Sequence, residues 1–153
     1  MAKAKKKSSF DELFSSDPIK ATDGVPIPIG YNSKDEEIIF WIAEVNNKKH
    51  VAAQRKYLKM LETTRRNTKR NTAVLAKVLA EGILVKWKGI LDENGEPIES
   101  TNDNKAKYLA KYDKLFQAVM EQSMNTDNYM LDDDEDDGEV TYSQEAQKDT
   151  EKN

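Results

Sequence analysis

Apolar residues in the middle of the chain recur at a helical period. Leu75, Val78, Leu79, Gly82, Ile83 and Trp87 fall on one stripe, widened by Val74 and Leu84. That spacing predicts an amphipathic helix over residues 72–87. Asn71 and Thr72 are placed to cap its start, and Gly89 to end it in the left-handed conformation. Gly82 costs such a helix about 1 kcal/mol relative to alanine, so it is expected to let a neighbouring element pack close. Upstream, Ala53, Tyr57, Met60, Leu61 and Thr64 keep the same period after a start signal at Asn46-Asn47. Downstream, Tyr108, Leu109, Tyr112, Leu115, Phe116, Val119, Met120 and Met124 continue it after Ser100-Thr101. Asp113 is placed to divide this last region into two helices by capping the second.

Nearer the N-terminus the pattern becomes extended. Val25–Tyr31 alternates, but Pro26 and Pro28 confine it to a sheet edge. Ile38–Ala43 is rich in β-branched and aromatic residues and reads as a strand, with turn residues 32–35 in between. The expected fold class is therefore α+β: a small N-terminal β-hairpin packed on a mainly helical domain of three to four helices. Its core is expected to include Phe40, Trp41, Leu75, Leu79, Ile83, Trp87, Leu115 and Val119. Asn94-Gly95 marks a tight turn after the central helix.

The ends carry weaker patterns. Phe10, Leu13 and Phe14 fit one helical turn, with Glu12 placed for a capping box. A single turn of this kind is stable only when docked. From Asp132 onward periodicity vanishes. The expected organisation is a flexible basic arm over 1–22, a single globular domain over 23–131, and a disordered acidic tail over 132–153.

Composition narrows the chemistry. Of 153 residues, 37% are hydrophobic and 34% charged, so the expected core is modest and the surface well solvated. There is no cysteine, which excludes disulfides, thiolate metal sites and cysteine nucleophiles. His50 is the single histidine and lacks the partners of an ordinary zinc site; a surface or helix-start position is expected. A calcium loop beginning at Asp133 is a near miss, because Gln144 stands where a bidentate carboxylate must close the site. No phosphate loop, nucleophile elbow or catalytic dyad is present, so neither an enzyme nor a cofactor is expected. No apolar run approaches the roughly 18 residues needed to span a bilayer, and a soluble intracellular protein without membrane attachment is expected.

The net charge of −4 conceals a polar chain. From Asp127 onward eleven Asp or Glu face only Lys148 and Lys152, whereas residues 48–70 hold nine Lys or Arg against Glu62. The candidate partner-binding residues are Arg55, Lys56, Lys59, Arg65, Arg66, Lys69 and Arg70. Aromatics that would stack bases are missing beside them, since Tyr57 belongs to the apolar stripe, which disfavours nucleic acid. A solvated loop or a docking patch for an acidic protein segment fits the pattern better.

Several of these segments, in their order and spacing, resemble the tail assembly chaperones of long-tailed bacteriophages. The resemblance runs from about Gly24 to Met124. It rests on the paired strands ending in Ile42-Ala43, the helix from Lys48 to Leu61, the Arg65-Arg66 junction, the helix from Thr72 to Trp87, and the turn to Pro97. The acidic extension lies outside the shared pattern. The resemblance implies a non-catalytic protein of the host cell cytoplasm, absent from the mature virion. Its implied partners are the tape-measure protein and the tail tube protein, with self-association also open to it. The rival readings are a small structural tail or connector component of the virion, and a nucleic-acid-associated or DNA-mimic regulatory protein.

Overall fold

The computed structural model describes residues 9–132, and the expectations for 1–8 and 133–153, including the acidic tail and the calcium-like loop, lie outside them. The described residues divide into two compact units, one of residues 9–17 with 130–132, the other Pro18–Tyr129. In the first unit, helix α1 (Ser9–Phe14) is the turn expected around Phe10, and an isolated bridge joins Ser16 to Met130. Phe10, Leu13 and Phe14 are all exposed, with the two rings 6.1 Å apart.

The second unit is mixed α+β. Pro18–Asp23, all but its last residue within the arm expected over 1–22, forms helix α2, with Ala21 buried and its carbonyl accepting the Glu44 amide at 2.9 Å. Strands β1 (Val25–Tyr31) and β2 (Glu37–Ile42) make the expected antiparallel hairpin. Asn32 shapes its turn by accepting the amides of Lys34 and Glu36. Helices α3 (Lys48–Thr64) and α4 (Thr68–Gly82) follow, then a third strand, β3 (Leu84–Lys88). Helices α5 (Asn102–Lys111) and α6 (Asp113–Ser123) and a short 3-10 turn (Thr126–Tyr129) complete the unit.

Strand β3 corrects the helix expected over 72–87. The helix ends at Gly82, and residues 84–88 pair antiparallel with β2, giving the order β1-β2-β3. The physical reason lies in the burial alternation: Lys86 and Lys88 are exposed while Trp87 between them is buried. That alternation fits a strand's period of two, and the pairing with β2 fixes it. Gly89 does take a left-handed φ of 88°, but it follows a strand instead of capping a helix. A Cβ there would lie 2.6 Å from the Glu37 carbonyl oxygen.

The start of α4 also differs. Asn67, not Asn71, is its N-cap, accepting the Arg70 amide at 3.0 Å, so α4 begins earlier than expected. Asn47 caps α3 through the amides of Lys49 and His50, and Thr101 caps α5, both where the start signals stand. The last helical region does divide in two. Asp113 falls in the first turn of α6, however, and Tyr112 occupies the cap without a side-chain bond.

The core lies between one face of the sheet and helices α4, α5 and α6. Phe40, Ile42, Leu79, Ile83, Leu84, Trp87, Leu109 and Val119 are its larger members. Leu75 and Leu115 are only partly buried, while Val74, Ala76 and Val78 are buried. Trp41 was expected in the core but is half-buried, because neighbours on a strand face opposite ways and Phe40 already points inward. On the outer face the Lys86 ammonium sits 4.6 Å from the Trp41 ring centroid, a cation–π contact. Trp87 satisfies its indole N–H at the Ile98 carbonyl, 2.7 Å away.

Candidate partner-binding surface

Helices α3 and α4 form a hairpin whose two ends are built differently. At its base the helices touch through backbone. Gly82 lies against His50, where any Cβ would fall 2.9 Å from the His50 nitrogen. This is the close approach that the glycine was expected to permit. Asn47 reinforces it, its side-chain amide donating to the Gly82 carbonyl at 2.8 Å while its oxygen caps α3. His50 is at the helix start as expected, but buried. Its Nδ1 accepts the Asn46 amide at 2.8 Å, so that nitrogen carries no proton, and desolvation holds its pKa below 6.5.

Further out, a polar clasp ties the helices. The Tyr57 hydroxyl donates to one Glu81 carboxylate oxygen and the Lys56 ammonium to the other, the latter at 3.0 Å. The bond to Glu81 and desolvation raise the Tyr57 pKa, and the separate bond that Lys56 makes to Glu81 raises that of Lys56. For Glu81, desolvation pushes the carboxyl upward, but the bonds from Tyr57 and Lys56 outweigh it and lower its pKa.

Between Ala53 and Val74, a stretch that includes the clasp residues of α3, the hairpin has no fully buried side chain. The seven basic candidates are distributed along this length, and all are exposed. Arg55 and Lys59, one turn apart, share the outer side of α3. Arg65 and Arg66 occupy the turn between the helices, and Lys69 and Arg70 stand in the first turn of α4. The fold thus gathers Arg65, Arg66, Lys69 and Arg70 at the tip, whereas Lys56 is drawn away into the clasp.

Two apolar side chains on this arm were not anticipated as surface. Met60, placed by its spacing on the buried stripe, is 44% exposed, and Leu58 is 54% exposed. The stripe is real only where α4 faces it. On a helical wheel Met60 lies about 60° to one side of Tyr57 and Leu58 about 100° to the other. The narrow contact with a single neighbouring helix covers neither.

Two buried polar groups elsewhere hold the frame. Lys105, 4% exposed, donates to the carbonyls of Leu84 and Val85 at 2.8 and 3.0 Å, where the β2–β3 register shifts. Desolvation lowers its pKa to about 8. Its place on the stripe of Leu109 and Tyr112, four and seven residues on, was the available signal. Tyr129 is fully buried and donates to the Ile42 carbonyl at 2.9 Å, with its pKa raised by desolvation. A cleft of about 170 Å³ also opens between β1 and α6, lined by Ile27, Ile29, Phe40, Ile42 and Val119 among others.

Among the described residues, no three His, Cys, Asp or Glu side chains gather as metal ligands would, and no helix is long and apolar enough to cross a membrane.

Comparison with known proteins gives one family. The family model described as YdaY prophage protein matches residues 43–140, a span that includes α3, α4, β3, α5 and α6. No curated protein and no solved structure matches the chain.

Proposed function

Because the chain belongs to the YdaY prophage protein family, and so is a phage protein, we propose that it serves in phage tail morphogenesis. In this reading it is a tail assembly chaperone that binds the tape-measure protein and helps recruit tail tube subunits around it. The observation that carries the reading is the coincidence of the resembling segments with the exposed arm. The Lys48–Leu61 segment is on α3, and the Arg65-Arg66 junction is at the tip. A long tape-measure protein presents amphipathic helices whose apolar faces associate unless covered. A helical surface with apolar contacts and a charged rim holds such segments reversibly. The role is non-catalytic and is played in the host cell cytoplasm before the particle is complete.

Co-expression with the long tail gene of the same prophage tests this. The tape-measure protein should stay soluble and co-purify with the chain, and the chain should be missing from purified particles. A tape-measure protein that aggregates equally with and without the chain rejects the escort role. Stoichiometric presence in mature particles assigns the chain to the virion as a structural component instead.

A further inference from the structure

The outer halves of α3 and α4 carry positive charge that the rest of the unit does not answer. Arg55, Lys59, Arg65, Arg66, Lys69 and Arg70 are all exposed, and Glu62 is the only acidic residue between positions 54 and 73. None of the six makes an ion pair with a described residue. Several cations elsewhere do have a partner. Lys56 is held by Glu81, Lys86 stands over the Trp41 ring, and Lys107 and Lys111 stand over Tyr108 and Tyr112. Neighbouring basic groups on the arm fall within about one Debye length, 8 Å at physiological salt, so their fields add.

The same surface offers no apolar seam. Leu58 and Met60 are exposed, but they leave α3 about 160° apart around its axis. An occupant of the arm must therefore bind by charge alone. Single exposed ion pairs are weak, so such an occupant needs many charges and a high local concentration.

The chain carries a segment with both properties. Six of the seven residues 133–139 are Asp or Glu, and Val140 and Tyr142 are the only large apolar residues from 133 to 153. The segment also starts close to the arm. The Pro18–Tyr129 unit ends at Tyr129, whose hydroxyl donates to the Ile42 carbonyl at 2.9 Å, and the Val45 amide donates to the Ser123 carbonyl at 3.0 Å. Both contacts lie just before α3 begins at Lys48. Along α3, Arg55 is roughly 10 Å from Lys48 and the tip at Arg66 roughly 27 Å. Counted from Tyr129 at about 3.3 Å per residue, the chain can reach roughly 13 Å at Asp133 and 33 Å at Glu139. The acidic run therefore covers the distances at which the basic groups stand.

We propose that the acidic segment 133–153 docks on the basic arm of its own chain, with the tip residues Arg65, Arg66, Lys69 and Arg70 as its main contacts. Charge complementarity selects this occupant, and the tether supplies an effective concentration of about millimolar order. A polyanion without apolar side chains suits a surface without an apolar seam. The segment then acts as a built-in competitor: any other acidic ligand of the arm must displace it. This contact goes beyond the escort reading and does not depend on it.

The test uses the full chain. It contains no cysteine, so Ser143→Cys provides a single attachment point for a nitroxide spin label. The label should broaden the backbone amide signals of residues 65–70 while leaving those of residues 86–88, which include two exposed lysines, unaffected. The broadening should disappear in about 1 M salt, where the Debye length falls to about 3 Å, and on reversal of the tip (R65E, R66E, K69E and R70E together). Neutralising the segment (D133N, D134N, E135Q, D136N, D137N and E139Q together) should tighten binding of a synthetic polyglutamate peptide severalfold, as read by fluorescence anisotropy at low salt. Circular dichroism verifies that these surface variants keep the fold, and the salt titration needs no variant beyond the labelled one.

No broadening at residues 65–70, equal broadening at residues 86–88, or persistence through the tip reversal would each overturn the proposal. So would a polyglutamate affinity unchanged by neutralising the segment. Mixing spin-labelled chains with unlabelled, isotopically enriched chains checks the remaining alternative. Broadening that survives in the enriched chains of that mixture would make a second copy the occupant and overturn docking within one chain.

Discussion

Replacing Gly82 by alanine sets two opposing effects against each other at one buried position. In an isolated helix the change is favourable by about 1 kcal/mol, because glycine loses more backbone freedom on folding. In this unit the new methyl would fall inside hard contact with the Cα of His50, 2.9 Å from its nitrogen and 3.0 Å from its Cβ. The obstacle is chiefly backbone, so no side-chain rotation relieves it, and α3 must move away from α4. Overpacking of this kind costs typically about 1–3 kcal/mol, with the upper end appropriate to a backbone obstacle. The movement also stretches the 2.8 Å bond from Asn47 to the Gly82 carbonyl. A buried amide left unsatisfied adds about 1–3 kcal/mol. The net expectation is destabilisation by roughly 2–4 kcal/mol. For a unit of this size each kcal/mol lowers Tm by roughly 3–5 °C. Urea and thermal melts followed by circular dichroism measure both quantities. A variant as stable as the wild type within about 0.5 kcal/mol, or more stable, would refute the close-approach argument, since only the propensity gain would then remain.

Two further expectations follow from buried polar groups. Tyr129→Phe removes the donor to the Ile42 carbonyl with little change of shape, and should cost about 1–2 kcal/mol in urea melts; an unchanged midpoint would mean that the hydroxyl does not anchor the 3-10 turn. His50 has a folded pKa below its unfolded value near 6.5, so the folded state binds fewer protons. Its stabilising contribution is full above about pH 6.5 and declines as pH falls toward the folded pKa. His50→Asn, whose side-chain oxygen can accept the same Asn46 amide, should therefore lose stability less steeply than wild type between about pH 7 and 5. Identical slopes would show that His50 does not carry the acid sensitivity.

Much of the local structure was written in short segments. The caps at Asn47 and Thr101, the turn at Asn32, the two strands of the hairpin and the break between α5 and α6 each depend on a few adjacent residues, and each was legible in the chain. The mixed α+β class followed from those segments. The basic arm was legible as composition, but which of its charges remain available was not: Lys56 is claimed by Glu81, twenty-five positions away.

Tertiary structure decided the rest. Residues 84–88 extend the apolar stripe of α4 closely enough to read as more helix, and they become a strand because β2 offers an edge and Ile83 and Leu84 must reach the core beneath it. Trp41 faces outward because Phe40 faces in. Met60 is exposed because one neighbouring helix cannot cover the whole stripe. Lys105 and Tyr129 are buried because the carbonyls of Leu84, Val85 and Ile42 each require a donor. A sequence specifies what its neighbours along the chain can do, through caps, turns and periodicity. Which apolar face is covered, and which polar group must go inside to satisfy another, is fixed only when distant segments compete for the same core.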